Sequence, residues 1–395
     1  MKTARIWLSG FLLLGVVLGL PGSLLVAWQY HIDVAPPLIG LHFLALNAGY
    51  VGAAALAQKL DRWFKAKTLT LGACGMAALS LAALFVAAPP AAILWRLASW
   101  AMLGASAGVL GTALLYTSEA YFREKKLAAM NQVGTWFVCG CLVSTAVAAL
   151  TYLAGAARIE AAVLTVVPVA FIVLLARSPS PTPRKTARDA KQELLRDALR
   201  DLRSIATILF GLLLFFQFGN EWAIAGWLPL FLIHRFGCNP VWAIGVLALF
   251  FLALLAGRWA ARKGLLRFNH RRLLLVSIAA AMCGCFTLSL AHSLAGAAVA
   301  VTVIGGGFAP IYPLIAEQLD ERFTFHPGFY NGAVAIAITG AMGVPWLLGF
   351  VDAWFGMRYV MLGPALGSMV VLLLSLLLML ETHLMRDKTE LSTSD

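Results

Sequence analysis

Twelve apolar runs of near-membrane length, separated by short polar breaks, leave this chain few ways to fold. A helix needs about 20 mostly apolar residues to cross the hydrocarbon of a bilayer. The runs fall at 6 to 28, 38 to 58, 68 to 88, 91 to 117, 130 to 154, 158 to 177, 204 to 233, 240 to 260, 272 to 292, 294 to 318, 328 to 350 and 357 to 381. Lipid offers no hydrogen bonds to the backbone, so each run has to satisfy its own as a helix. The expected fold class is therefore an all-α membrane protein of twelve transmembrane helices. Pro89 with Pro90, and His292 with Ser293, separate runs that are otherwise nearly continuous. Composition agrees: 61% of the 395 residues are hydrophobic, 12% are charged, and mean hydropathy is +0.85. The loops leave no room for a soluble domain. The opening "MKTARIWLSGFLLLG" starts like a signal peptide but lacks a small-x-small cleavage site, and it is read as the first spanning helix.

Charge orients the bundle. With both termini in the cytoplasm, only Arg96, Arg158, Arg235 and Arg358 of the 30 Lys and Arg fall toward the opposite face. The positive-inside bias thus predicts an even helix number and a multi-pass protein of the plasma (inner) membrane with cytoplasmic termini. It also accounts for the formal charge of +12 without nucleic acid, because the basic residues are spread around loops and not gathered on one face. Cys139 and Cys141, like Cys283 and Cys285, are two apart on a helix. Their side chains point about 200° apart and cannot bridge.

An internal duplication gives the domain organisation. Residues of similar character recur about 200 positions apart: Trp28 and Trp227, Ala57 and Gly257, Arg62 and Arg262, Glu119 and Glu317, Asn131 and Asn331. Each pair holds the same place in a set of six helices. The expected units are an N-terminal bundle at 1 to 177, a cytoplasmic linker at 178 to 203, and a C-terminal bundle with a short tail at 204 to 395. Within the linker "SPSPTP" is a spacer. Beyond it Leu195, Leu199 and Leu202 share one face, while Asp189, Glu193, Asp197 and Asp201 recur on another. That pattern describes an amphipathic helix against the membrane surface; the plainer alternative is a solvated tether.

The chemistry concentrates in "FFQFGNEWAIAGWLPLFLIH", Phe215 to His234. A charged acid near the middle of a spanning helix costs roughly 2.5 to 3.5 kcal/mol, so such acids face a cavity or a partner. Gln217, Asn220 and Glu221 stand at i, i+3 and i+4 and form a polar stripe. No basic residue matches Glu221 in depth, which favours a titrating acid over a fixed ion pair. The competing reading has Glu221 hydrogen-bonding across the bundle to hold helices together. Helix 1, the counterpart of helix 7 in the duplication, carries "GLPGS" at Gly19 to Ser23 and is expected to be interrupted there. Asn47, Tyr50, Trp136 and Tyr312 supply amide, hydroxyl and aromatic groups suited to a sugar. Each also has an ordinary packing or anchoring explanation. The lone intrahelical His42 has one as well.

Two stretches carry a family resemblance. "ALAQKLDRWFKAK" resembles the loop 2 to 3 signature of the major facilitator superfamily through Asp61, Arg62 and Lys65, with Ala57 and Phe64 where glycine is usual. The corresponding "GRWAARKGLLRFNHRR" keeps Gly257 and Arg258 but lacks the aspartate. Helix 7 resembles the fucose permease-like branch through Phe216, Gly219, Glu221, Trp227 and Phe231, as do "GGGFAPIYPLIAEQ" and "YNGAVAIAITGAMG". The resemblance implies a sugar or related polar metabolite moved with a proton. Gly22 and Tyr116 stand where proton-coupled members place acids, so coupling is not inherited, and Glu221 is the candidate for it. By the same resemblance Asp61, Arg62, Glu119, Arg258 and Glu317 form an inner gate, with Glu119 paired to Arg62 and Glu317 to Arg258.

Other classes fail on the same residues. There is no HExxH or CxxC, the seven histidines are scattered, and no GxxxxGK[ST] is present. That argues against an enzyme, a metal site and an ATP-driven pump. The expected function is alternating-access transport of a small polar solute, a sugar by preference, with a proton as coupling ion. The protein is expected to act as a monomer in the bilayer, with no cofactor. The rival is a proton-antiport exporter of drugs or lipophilic metabolites, with Trp100, Trp136, Trp222 and Trp227 around a broad apolar cavity.

Overall fold

The computed structural model describes residues 2–32, 34–60, 63–124, 126–178, 205–264, 269–322 and 327–392. The linker and its expected amphipathic helix, together with Asp61 and Arg62, lie outside them. Twelve described helices are long and apolar enough to cross a membrane. They are α1 (Ile6–Ala27), α2 (Pro36–Leu60), α3 (Ala66–Val86), α4 (Ile93–Ser118), α5 (Met130–Leu153), α6 (Ala157–Arg177), α7 (Thr207–Phe236), α8 (Pro240–Ala261), α9 (His270–Leu290), α10 (Leu294–Gln318), α11 (Tyr330–Phe355) and α12 (Met357–Glu381). The break at His292 and Ser293 is a helix cap, in which the Ser293 hydroxyl accepts from the Gly296 amide at 3.1 Å.

Prolines explain where the helices are irregular. The α6, α10 and α12 spans each change segment near Thr165, Ala309 and Met361, three or four residues before Pro168, Pro313 and Pro364. A proline has no N–H to return to the carbonyl four residues earlier. The interruption expected at Gly19 to Ser23 is absent: α1 runs through Pro21 without a break. Its ends are held by continuous helix on both sides, and one missing bond inside a packed bundle is tolerated.

The packing is duplicated. Helix α1 packs on α5 and α7 on α11; α2 on α4 and α8 on α10; α3 on α4 and α9 on α10; α3 on α6 and α9 on α12. Between the two sets, α2 meets α11, α5 meets α8, and α1 meets α7. Helix α1 is almost wholly enclosed, whereas the outward faces of the others carry Leu79, Leu150, Val276 and Leu373. Exposed aromatics at helix ends, among them Trp63, Trp95, Trp242 and Trp354, suit a membrane–water boundary.

Small residues set how closely helices approach, because apolar lipid gives no hydrophobic drive for helix association. A Cβ on Gly104 would meet the Leu46 backbone, and one on Gly49 would meet that of Ala101, so α2 and α4 cross backbone to backbone. Backbone cannot yield as a flexible side chain does. Gly104→Val is expected to lower stability by about 3 kcal/mol or more, read as a lower thermal unfolding midpoint in detergent.

Candidate functional site

A cavity of about 100 Å³ lies between the two helix sets. It is lined from α1, α2 and α5 on one side and α7, α8, α10 and α11 on the other. This is room for several water molecules. Its walls are mostly apolar, with Phe11, Leu14, Phe137 and Phe218 among them. The polar side chains on it are Tyr50, Glu221, Arg258, Tyr312 and Tyr330. All of these come from the helix segments between mid-membrane and the face that carries the N-terminus.

Glu221 sits at the middle of α7 and is 1% exposed. Arg258 reaches it from α8, Nη2 to Oε1, at 3.8 Å. The other guanidinium arm donates to the Gly134 carbonyl of α5, so Arg258 touches both helix sets. It is the one Lys or Arg buried among the described residues, at 3% exposure. Neither carboxylate oxygen of Glu221 has a hydrogen-bond partner within the protein, nor does Arg258 Nε. Buried polar groups are normally satisfied, and exceptions need a reason. At this separation the attraction is about 4 kcal/mol for an effective dielectric of 20. Desolvating the two charges costs several kcal/mol each. The pair is therefore close to break-even, ready to exchange its partners for a proton or a solute.

Two expectations change here. A basic residue does match Glu221 in depth, because the long arm of Arg258 extends inward from the end of α8. The expected Arg258–Glu317 gate pair does not form: Arg258 pairs with Glu221, and Glu317 Oε2 lies 2.8 Å from His270 Nδ1. The other expected pair, Glu119 with Arg62, falls outside the described side chains.

The polar stripe of α7 is split by its helix packing. Glu221 faces the cavity, but Asn220 turns toward α12, where a Cβ on Gly367 would collide with its amide. Gln217 is wholly buried beside the cavity without lining it, and neither of its amide atoms has a protein partner. Of the other solute candidates, Tyr50 and Tyr312 line the cavity; Asn47 and Trp136 do not. Tyr312 stands edge-on to Phe218 with ring centroids 5.3 Å apart. Trp100, Trp222 and Trp227 are fully buried in packing and Trp136 is half-buried, and none lines the cavity.

Away from the N-terminal face the two sets close on each other. Trp222 Nε1 donates to the Leu18 carbonyl at 3.0 Å, and Phe43 stacks on Trp227 at 6.4 Å. Gly40 abuts the Trp346 backbone and Gly349 that of Pro36. Nearer the N-terminal face polar links join the two sets among the described residues: Arg258 to Gly134, the Thr112 hydroxyl 3.0 Å from Asn331 Oδ1, and Tyr312 to Met130 Sδ at 3.7 Å.

Some functional-looking groups escaped the sequence. Glu160 is fully buried at the start of α6, accepting from the Ser23 hydroxyl at 2.7 Å. It stands at the very start of the run at 158 to 177, beside Arg158, where an acid reads as a surface charge. His42 is satisfied in a chain of bonds: its Nδ1 donates to the Leu38 carbonyl at 2.9 Å, which leaves Nε2 to accept from Tyr30 at 3.2 Å, and Arg96 donates to the Tyr30 oxygen.

In the loop between α1 and α2, burial and then the proximity of His234 hold His31 below the ordinary 6.5. The unfolded chain therefore takes up this proton first, and stability falls as pH drops below that value. His31→Gln is expected to flatten the acid side of a plot of Tm against pH.

A bundle of twelve helices in two similarly packed sets, with a buried ion pair in a cavity between them, defines a membrane transporter. The chain belongs to the Major Facilitator Superfamily, whose family model matches residues 6–344. No curated sequence relative matches it. Among solved structures it is similar to the Escherichia coli fucose:proton symporter FucP, with 18% identity, 96% of this chain and 98% of that chain covered, and a TM-score of 0.66. It is also similar to the xylose transporter XylE from E. coli, with 14% identity, 94% and 97% coverage, and a TM-score of 0.74. The nucleoside transporter NupG gives 14% identity, 95% and 99% coverage, and 0.72. At these identities the likeness is one of fold.

Proposed function

We propose that this protein moves a small polar solute, of the sugar class, across the plasma (inner) membrane by alternating access, with a proton as coupling ion. It acts as a monomer, with both termini cytoplasmic and the cavity on the cytoplasmic side of the midplane. The observation that carries the reading is Glu221: a buried acid on a cavity between the bundles, unsatisfied by protein hydrogen bonds and held only loosely by Arg258.

Such an acid takes a proton when its half of the cycle faces one solution and releases it to the other. Tyr50 and Tyr312 offer hydroxyls, and Phe137 and Phe218 offer flat apolar faces for a sugar ring. The similarity to FucP and XylE, described as a fucose:proton symporter and a xylose transporter, supports the same class. The mostly apolar wall favours a second reading, export of a lipophilic compound by proton antiport. The absence of the four tryptophans from that wall weighs against it.

The test is uptake into proteoliposomes of a panel of radiolabelled monosaccharides, sugar acids and nucleosides, with and without an inward proton gradient. Gradient-driven accumulation of one member supports the reading. Expulsion of a cationic dye on reversing the gradient, with no uptake from the panel, replaces it by the exporter.

A further inference from the structure

We infer that the solute is a hydroxylated monocarboxylate, of the sugar-acid class, whose carboxylate is received by Arg258 when Glu221 takes up the coupling proton. The inference rests on the cavity being the solute site. A guanidinium on that wall suits an anionic member of the sugar class better than a neutral one. Arg258 is the one buried cation among the described residues, and it faces the cavity with Nε unsatisfied. Its carboxylate partner stands at 3.8 Å, beyond hydrogen-bonding distance. A guanidinium presents a planar fork that matches a carboxylate bidentately. Nη1 donates to the Gly134 carbonyl and Nη2 faces Glu221, so a carboxylate that replaces Glu221 finds the Nη2 and Nε side of the fork.

Charge balance links the proton to the anion. Arg258 and Glu221 together are neutral, so an added carboxylate leaves one uncompensated negative charge in a buried site. Binding a buried charge without a counter-charge is strongly unfavourable. Protonation of Glu221 restores neutrality: the proton passes from water to its carboxylate, and Arg258 exchanges Glu221 for the solute. The other titratable groups around Glu221 are Cys141 of α5, Tyr50 of α2, Tyr312 of α10 and Tyr330 of α11. None of these carries a full charge at neutral pH. One guanidinium suits one carboxylate; a phosphate dianion would need more donors than this wall offers. One proton then travels with one anion, and transport is electroneutral.

The test measures binding of D-glucuronate against D-glucose, and of D-gluconate against D-glucitol, to the purified full-length protein in detergent across a range of pH. The expected result is at least about tenfold tighter binding of each acid than of its neutral partner, tightening further as pH falls. Arg258→Gln is expected to erase the acid preference and Arg258→Lys to restore part of it, a ratio that general loss of folding would not move. Glu221→Gln is expected to bind the acid without the pH dependence. Equal or tighter binding of the neutral partners overturns the carboxylate inference and leaves the solute site standing. Binding of no member by a monodisperse protein overturns the site itself.

Discussion

Glu221→Gln is expected to abolish proton-driven accumulation of solute while sparing exchange of solute across the same membrane. Glutamine reproduces the size and hydrogen-bonding groups of a protonated glutamate but cannot give up the proton. The wild-type carboxylate, 1% exposed and without a hydrogen bond from the described residues, has Arg258 as its one nearby opposite charge among them. A fixed neutral amide removes the charged half of the cycle. Reorientation with solute bound does not require that half, so counterflow persists when both sides hold solute. The measurement pairs gradient-driven uptake with counterflow in the same proteoliposomes. Loss of both would point to a fold defect, and retention of both would remove Glu221 from coupling.

The second large effect is expected from Gly40→Trp, which should stop transport without unfolding either bundle. Gly40 of α2 lies against the Trp346 backbone of α11, and Gly349 of α11 lies against that of Pro36. This contact joins the two helix sets at the end opposite the cavity. A Cβ on Gly40 would stand 2.8 Å from the Trp346 carbonyl oxygen, and an indole has no room at all. The clash falls between bundles and not within one. Relief is therefore available by rigid-body rocking, whereas Gly104→Val, inside a bundle, has no such outlet. The variant is expected to rest with this end open. A cysteine at Phe43, in a background without the native cysteines, should then react faster with an impermeant thiol reagent added from that side. Unchanged labelling together with unchanged transport would mean that the closed contact is not part of the cycle.

These predictions depend unequally on what the sequence made legible. Helix number and approximate limits followed from hydropathy and length, because the bilayer imposes both on each segment independently of its neighbours. The break at His292 and Ser293 was local in the same sense. Glu221 stood out because a buried acid is costly wherever it occurs. Its surroundings were not legible. Spacing placed Gln217, Asn220 and Glu221 on one stripe, but the packing of α12 takes Asn220 and the cavity takes Glu221.

The sequence by itself determined that twelve helices cross a membrane as a duplicated pair of sixes with one acid at mid-depth in the seventh. Hydropathy, helix length and the cost of a buried charge act along a single helix, and a single sequence records them. Only the tertiary structure decided that Arg258, counted among the loop charges, turns inward to Glu221, that His270 takes Glu317 instead, and that α1 runs unbroken through Pro21. Those outcomes depend on which helix lies across the interface and how closely glycine lets it approach, and neither is written in the period of any one segment.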